Sequence, residues 1–158
     1  MIIRPIDPQS ADEIGLVAAR MRATLMEVLD PARGEAMYTI EWLVDRVRQH
    51  LDGRQVGAVF VAEDDGEIVG HTIVRIEHDA ERGTHGLFST VYVVPAERRK
   101  STARALLERG EAWMQAHEMR EAATWTATTN VPLHELFARL GYAIVEESGE
   151  MVRLWRRL

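Results

Sequence analysis

Apolar and polar positions repeat with two different periods along this chain. Ile14, Val17, Ala18, Met21, Leu25 and Val28 recur at the spacing of one helical face. Ser10-Ala11-Asp12-Glu13 precedes them as a capping box, in which Ser satisfies an N–H of the first turn and Glu reaches back. Asp30-Pro31 and Gly34 end that helix. A second predicted helix carries Ile40, Leu43, Val44, Val47 and Leu51 on one face and stops at Gly53. The period then shortens. Residues 57–62 and 68–76 read as two strands joined through Asp64-Asp65-Gly66, because Asp-Gly suits a tight hairpin turn. Residues 78–86 are polar and contain glycine, so a loop is expected there. Residues 87–94 form an apolar, β-branched strand that ends at Pro95, and a helix over 101–117 follows. A Thr-rich strand over 122–128, a short helix over 133–140 stopped by Gly141, and two strands around Ser148-Gly149 complete the pattern. With Ile2-Ile3-Arg4 as a first strand, the order β-αα-βββ-α-β-α-ββ predicts an α/β (α+β) fold. It is a mixed sheet of about seven strands with about four helices on its two faces.

The 158 residues fit one domain, 1–158. The formal net charge of −6 argues against nucleic acid as a partner, since a phosphate backbone calls for a basic face. There is no cysteine, which excludes disulfides, thiolate metal sites and a cysteine nucleophile. No metal site is expected. No apolar run reaches the roughly 20 residues of a membrane helix, and Met1-Ile2-Ile3-Arg4-Pro5-Ile6 does not read as a leader. A cytoplasmic location is the default expectation.

The stretch from Val91 to Leu107 bears most directly on function. A strand feeds a helix through the short basic loop Pro95-Ala96-Glu97-Arg98-Arg99-Lys100-Ser101. Unpaired N–H groups and the helix dipole make such a junction an anion site. A basic run is by itself only a solvated helix start, but basic groups at a helix N-terminus oppose the dipole.

Arg98-Arg99-Lys100-Ser101-Thr102-Ala103 resembles the hallmark loop of the GNAT superfamily of acyl-CoA-dependent N-acyltransferases: Arg or Gln, two residues, Gly, one residue, then Gly or Ala. Asn130, Leu133 and Leu136-Phe137-Ala138-Arg139-Leu140-Gly141-Tyr142 resemble the family's second motif, and the hairpin over 61–70 is a weaker match. The resemblance implies a splayed sheet and acetyl-CoA as co-substrate. It implies pyrophosphate binding on Arg98, Arg99, Lys100, Ser101, Thr102, Ala103 and Arg104. It places the pantetheine arm along free main-chain groups of Tyr92, Val93 and Val94, with Asn130 and Phe137 beside it. Asn130 also reads as a helix N-cap. Ser101 departs from the family's Gly, which restricts φ at that point.

Transfer to an amine requires a neutral amine, a polarised carbonyl and a protonated thiolate. Phe137 stands where the family usually has a Tyr acid and has no proton to give. The usual carboxylate base falls at Leu87 or Ser89. Glu77, His78, His85 and Ser89 remain weak candidates, so no catalytic acid or base is assigned. His71 reads as a partly buried strand residue, His134 as exposed, and Tyr142 as core. The acceptor pocket implied by the family falls on Met21, Leu25, Met26, Tyr38 and Trp42, which also suit plain core. The expected function is N-acetyl transfer to a primary amine of a small molecule, amino acid or peptide in a ternary complex. A non-catalytic acyl-CoA-binding protein is the alternative, and a nucleic-acid-binding regulator is disfavoured by charge. The family's closing strands often meet a second copy, so a homodimer is an expected assembly.

Overall fold

The computed structural model describes residues 1–28, 38–98 and 100–158. Its elements are β1 (Ile2–Pro5), α1 (Ala11–Val28), α2 (Ile40–Gln49), β2 (Gly57–Asp64), β3 (Glu67–Asp79) and β4 (Gly83–Val93). A 3₁₀ turn (Pro95–Glu97), α3 (Thr102–Ala116), β5 (Glu121–Ala127), α4 (Val131–Arg139), β6 (Ala143–Ser148) and β7 (Met151–Arg157) follow. The seven strands form one mixed sheet in the order β1-β2-β3-β4-β5-β7-β6. Every neighbouring pair is antiparallel except β4 with β5.

Local sequence explains the element ends. The Ser10 hydroxyl accepts the Glu13 N–H at 3.1 Å. The Glu13 carboxylate does not return to Ser10. It accepts the Asp7 N–H at 3.1 Å and pairs with Arg4 of β1 at 3.0 Å. A charged two-pronged donor outcompetes a single neutral N–H. Thr39 caps α2 by accepting the Trp42 N–H at 3.1 Å. Asp65 and Gly66, with φ of 51° and 80°, make the β2–β3 turn through left-handed backbone, as the Asp-Gly pair predicts.

One expectation is corrected. Residues 78–86, expected as a loop, are mostly strand, and only 80–82 lie between β3 and β4. Their polar side chains are partnered across the hairpin: His78 Nδ1 lies 2.8 Å from the Thr84 hydroxyl. The Asp79 carboxylate accepts the N–H groups of Glu81 and Arg82 at 2.8 and 2.9 Å.

The sheet carries two apolar layers. On one face Phe60, Val74 and Phe88 pack with Leu106, Leu107 and Met114 of α3 and with Phe137 of α4. On the other face Val59, Val61 and Ile73 pack with Ile14, Val17 and Ala18 of α1 and Leu43 and Val47 of α2. Farther along this second face, Leu87, Ala123, Trp125 and Trp155 form a separate small cluster. Gly110 lets α3 approach the sheet, because a Cβ there would collide with the Phe88 ring.

Candidate active site

β4 is pulled between two partners. Its parallel pairing with β5 covers only Gly86, Leu87 and Phe88, opposite Ala122, Ala123 and Thr124. The Thr124 hydroxyl donates to the Phe88 carbonyl at 3.0 Å at the last of these pairs. The β3–β4 register then shifts: Val74 faces Phe88 but Ile73 faces Thr90, so Ser89 is the bulged residue. Past the bulge β4 stays with β3, while β5 stays with β7 as far as Ala127 opposite Met151. A wedge opens between residues 89–93 and 125–127.

Alternation decides which main-chain groups face the wedge. The Val94 N–H donates to the Val69 carbonyl at 2.9 Å, so the groups of Val94 and Tyr92 are directed at β3. Those of Val91 and Val93 point the other way. The expectation of free groups at Tyr92, Val93 and Val94 is therefore corrected to Val91 and Val93. The Val93 carbonyl accepts from Arg98 Nε at 2.9 Å, which leaves the Val93 N–H for the wedge.

The loop after β4 turns through Ser101, whose φ of 67° and ψ of 6° are left-handed. A β-carbon in that region costs about 1–2 kcal/mol, and a glycine would carry no such penalty. Ser101 makes no side-chain cap bond. Its carbonyl accepts the Ala105 N–H at 3.0 Å, and the N–H groups of Thr102, Ala103 and Arg104 open the helix. Thr102 is buried with its hydroxyl 3.4 Å from Met1 Sδ, and Ala103 adds only a methyl group. Lys100 pairs with Glu97 at 3.7 Å and Arg104 with Glu108 at 2.9 Å. Both cations are exposed and their pairs carry little energetic weight, so each is free to turn towards an anion. Arg98 lies 5.9 Å from the Tyr92 ring centre, bracing the loop to the strand. Arg99 lies outside the described residues.

Asn130, just past β5, caps α4 by accepting the Leu133 N–H at 3.4 Å. His134, expected exposed, is half-buried, and its Nε2 donates to the Ala127 carbonyl at 2.9 Å. Phe137 is fully buried, edge-on to Phe88 at 5.9 Å and to Tyr142 at 4.9 Å. Its expected place beside the cofactor is corrected, since the three-ring cluster leaves it no surface to offer. Tyr142 is core, as expected. Its hydroxyl donates to Glu111 at 2.7 Å, and burial together with that carboxylate raises its pKa far above an ordinary phenol.

The candidate bases are separated. Ser89 is exposed at the bulge beside the wedge. Glu77 and His85 sit at the opposite end of the β3–β4 hairpin, in a cavity of about 230 Å³. Glu77 pairs with Arg75 at 2.6 Å. His85 lies against Trp155 with 4.5 Å between ring centres, and burial lowers its pKa. The same cavity holds Arg153, overlooked in the sequence. Its guanidinium lies 5.3 Å from the Trp125 ring and 5.0 Å from the Trp155 ring and pairs with Asp79 at 2.9 Å. The signal was the period-2 recurrence of Ala123 and Trp125 and of Arg153 and Trp155 on one face.

Of the expected acceptor residues, Met21, Leu25 and Tyr38 are half-buried against the α1–α2 core, and Trp42 is 49% exposed. Tyr38 meets Trp42 edge-on at 5.4 Å. The side chain of Met26 and the α1–α2 connection lie outside the described residues. His71, expected as a partly buried strand residue, is fully buried, stacked on Tyr92 at 5.8 Å with Nε2 3.3 Å from the Thr90 hydroxyl. Burial, with a smaller contribution from Arg20, lowers its pKa to about 3, so it is neutral near pH 7. No cluster of three or more His, Asp or Glu suited to a metal occurs among the described residues.

Solved structures share this fold. The PaiA N-acetyltransferase of Thermoplasma acidophilum, determined in complex with coenzyme A, superposes with a TM-score of 0.80 over 99% of this chain and 98% of that one, at 13% identity. An aminoglycoside 6'-N-acetyltransferase of Acinetobacter haemolyticus gives 0.69 over 94% and 95%, at 20% identity. In sequence, the chain is 35% identical over 95 residues to an aminoglycoside N(6')-acetyltransferase type 1 of Stenotrophomonas maltophilia. That match spans 57% of this chain and 62% of the relative. The family model for acetyltransferases of the GNAT family matches residues 22–142, more than half of the sequence, and the chain belongs to that family.

Proposed function

We propose that the protein transfers an acetyl group from acetyl-CoA to a primary amine of a small molecule, amino acid or peptide, with both substrates bound together. The observation that carries this reading is the wedge beside β4, which runs into the left-handed turn at Ser101 and the open N–H groups of α3. The residues present fit the co-substrate: an unpaired Val93 N–H along the arm, small Ala103 at the phosphates, and Lys100 and Arg104 as cations within reach. When bound, acetyl-CoA supplies the activated acyl carbon.

The Val93 N–H donates to the thioester oxygen as negative charge grows on it. The amine nitrogen bonds to the carbonyl carbon, the C–S bond breaks, and the amine gives up one proton while the sulfur gains one. The products are an amide and free coenzyme A. Phe137 and Tyr142 take no part in that proton transfer, because both are packed in the core. Ser89 at the bulge stands where a water molecule carrying the proton would pass. The relation to acetyltransferases of amine-bearing compounds supports this class of acceptor.

The lack of a carboxylate at the bulge and the burial of Phe137 favour a second reading, an acyl-CoA-binding protein without turnover. A thiol-release assay with acetyl-CoA across a panel of amines separates the two. Amine-dependent release is expected, and tight coenzyme A binding without release on any amine would overturn the transferase reading.

A further inference from the structure

We infer that the acceptor carries an anionic oxygen group, most simply a carboxylate, a short chain away from its amine, and that Arg20 of α1 binds it. The inference rests on the transferase reading and names the substrate class of that site. Arg20 reaches from α1 to β4, where its guanidinium carbon lies 5.6 Å from the Tyr92 ring centre. Tyr92 and Thr90 stand on the α1 side of the strand that borders the wedge, next to His71. Arg98 approaches the same ring at 5.9 Å. Two cations thus converge on one aromatic ring beside the place where the amine must arrive.

Their lack of counter-ions is the informative point. Among the described residues, neither Arg20 nor Arg98 is joined to a carboxylate within 4.0 Å. Arg20 Nη1 is shielded from solvent and has no hydrogen-bond partner. The fully buried His71 likewise has an unpartnered Nδ1. A desolvated donor without a partner is unfavourable, and a cation more so. Arg20 also borders an open groove of about 390 Å³ that contains Asp12, Glu13, Glu63 and Glu67, yet it pairs with none of them. Arg4 takes Glu13 and Glu63 instead. In a chain of net charge −6, Arg20 stands without a carboxylate partner among the described residues, while the exposed Arg98 beside the same ring is held through Nε by the Val93 carbonyl. A carboxylate on the acceptor would pair with Arg20 and hold the amine over the wedge, whereas a purely cationic acceptor would leave Arg20 without a partner.

Calorimetry on the full chain saturated with coenzyme A tests this with acid and amide pairs: β-alanine with β-alaninamide, and 4-aminobutyrate with 4-aminobutyramide. Each amide keeps the amine and removes the negative charge. At least one acid should bind about tenfold or more tightly than its amide. Arg20→Gln should abolish the difference and Arg20→Lys retain part of it, with coenzyme A affinity unchanged in both variants. Equal binding of acid and amide, or no binding of any pair, overturns the inference. So does a loss of coenzyme A affinity in Arg20→Gln, which would assign Arg20 to the cofactor phosphates. If the wild type fails to bind coenzyme A, the transferase reading itself falls, and the same acid and amide pairs titrated into the free chain report on Arg20.

Discussion

Past the bulge β4 turns unpaired main chain towards the wedge, while before the bulge it turns crowded side chains towards a cavity. The Val91 and Val93 main-chain groups face an open gap, and the left-handed Ser101 follows within the same short junction. Before the bulge, His85 and Leu87 sit among Glu77, Asp79, Trp125 and Arg153, where the side chains bond to one another and Arg153 Nε is left without a partner. The difference separates two tasks. Backbone donors, fixed by register, suit a ligand that is held without help from particular side chains. Side chains drawn from distant strands suit whatever distinguishes this protein.

The sharpest way to break the comparison is to disturb the ring cluster that keeps the wedge side of α4 in place. Phe137→Ala should destabilise the fold by about 3–5 kcal/mol, as for large aromatic truncations, measured by denaturant unfolding. Phe137→Tyr tests the same position for chemistry. It should lower stability without raising kcat, because its hydroxyl would enter a closed core. A rise in kcat would return this position to the catalytic site.

Next in size is the donor in the wedge. Val93→Pro removes one N–H that does not bond to β3, and kcat should fall about 10²–10³-fold with Val93→Ala as the packing control. Equal losses in the two variants would remove the N–H from the mechanism.

A third test uses pH. The folded His71 titrates at about 3 rather than 6.5, so below pH 6.5 the unfolded chain takes up a proton that the folded chain refuses. Its contribution is complete above 6.5 and is lost progressively as pH falls towards 3, with a slope of up to about 1.4 kcal/mol per pH unit. His50 and His85 are shifted in the same direction by burial. His71→Asn should therefore flatten the melting curve against pH only in part. An unchanged slope would mean that His71 is protonated in the fold.

The smallest effect is expected at the loop. Ser101→Gly relieves the left-handed strain and should stabilise the protein by about 0.5–1 kcal/mol, seen as a rise of a few degrees in Tm.

These tests also show how far the sequence could be read. Asp65-Gly66, Ser10 and Thr39 act within a few residues, so their chemistry fixes turns and caps wherever they stand. The order of elements and the loop ending at Ala103 follow from such local signals. The strand character of residues 78–86 was hidden because their side chains are polar and mostly exposed, and what makes them strand is main-chain pairing of the two arms of the hairpin. Which of Tyr92, Val93 and Val94 faces the wedge depends on the bulge at Ser89, a property of pairing with β3. Phe137 sits in a motif, yet its burial depends on Phe88 and Tyr142. Arg20, His71 and Arg153 each answer to a group more than 50 positions away, Tyr92, Arg20 and Asp79 respectively, and no window of sequence contains both sides of such a contact.

The central claim is that acetyl-CoA lies along the far half of β4 with its phosphates at the start of α3. Amide resonances followed by NMR during titration with acetyl-CoA test it most directly. The account predicts the largest changes at Val91, Val93, Thr102, Ala103 and Arg104, with little movement at Glu77, Asp79 and His85. Changes concentrated at Glu77, Asp79 and His85, or none at Val93 and Ala103 under saturation, would contradict it.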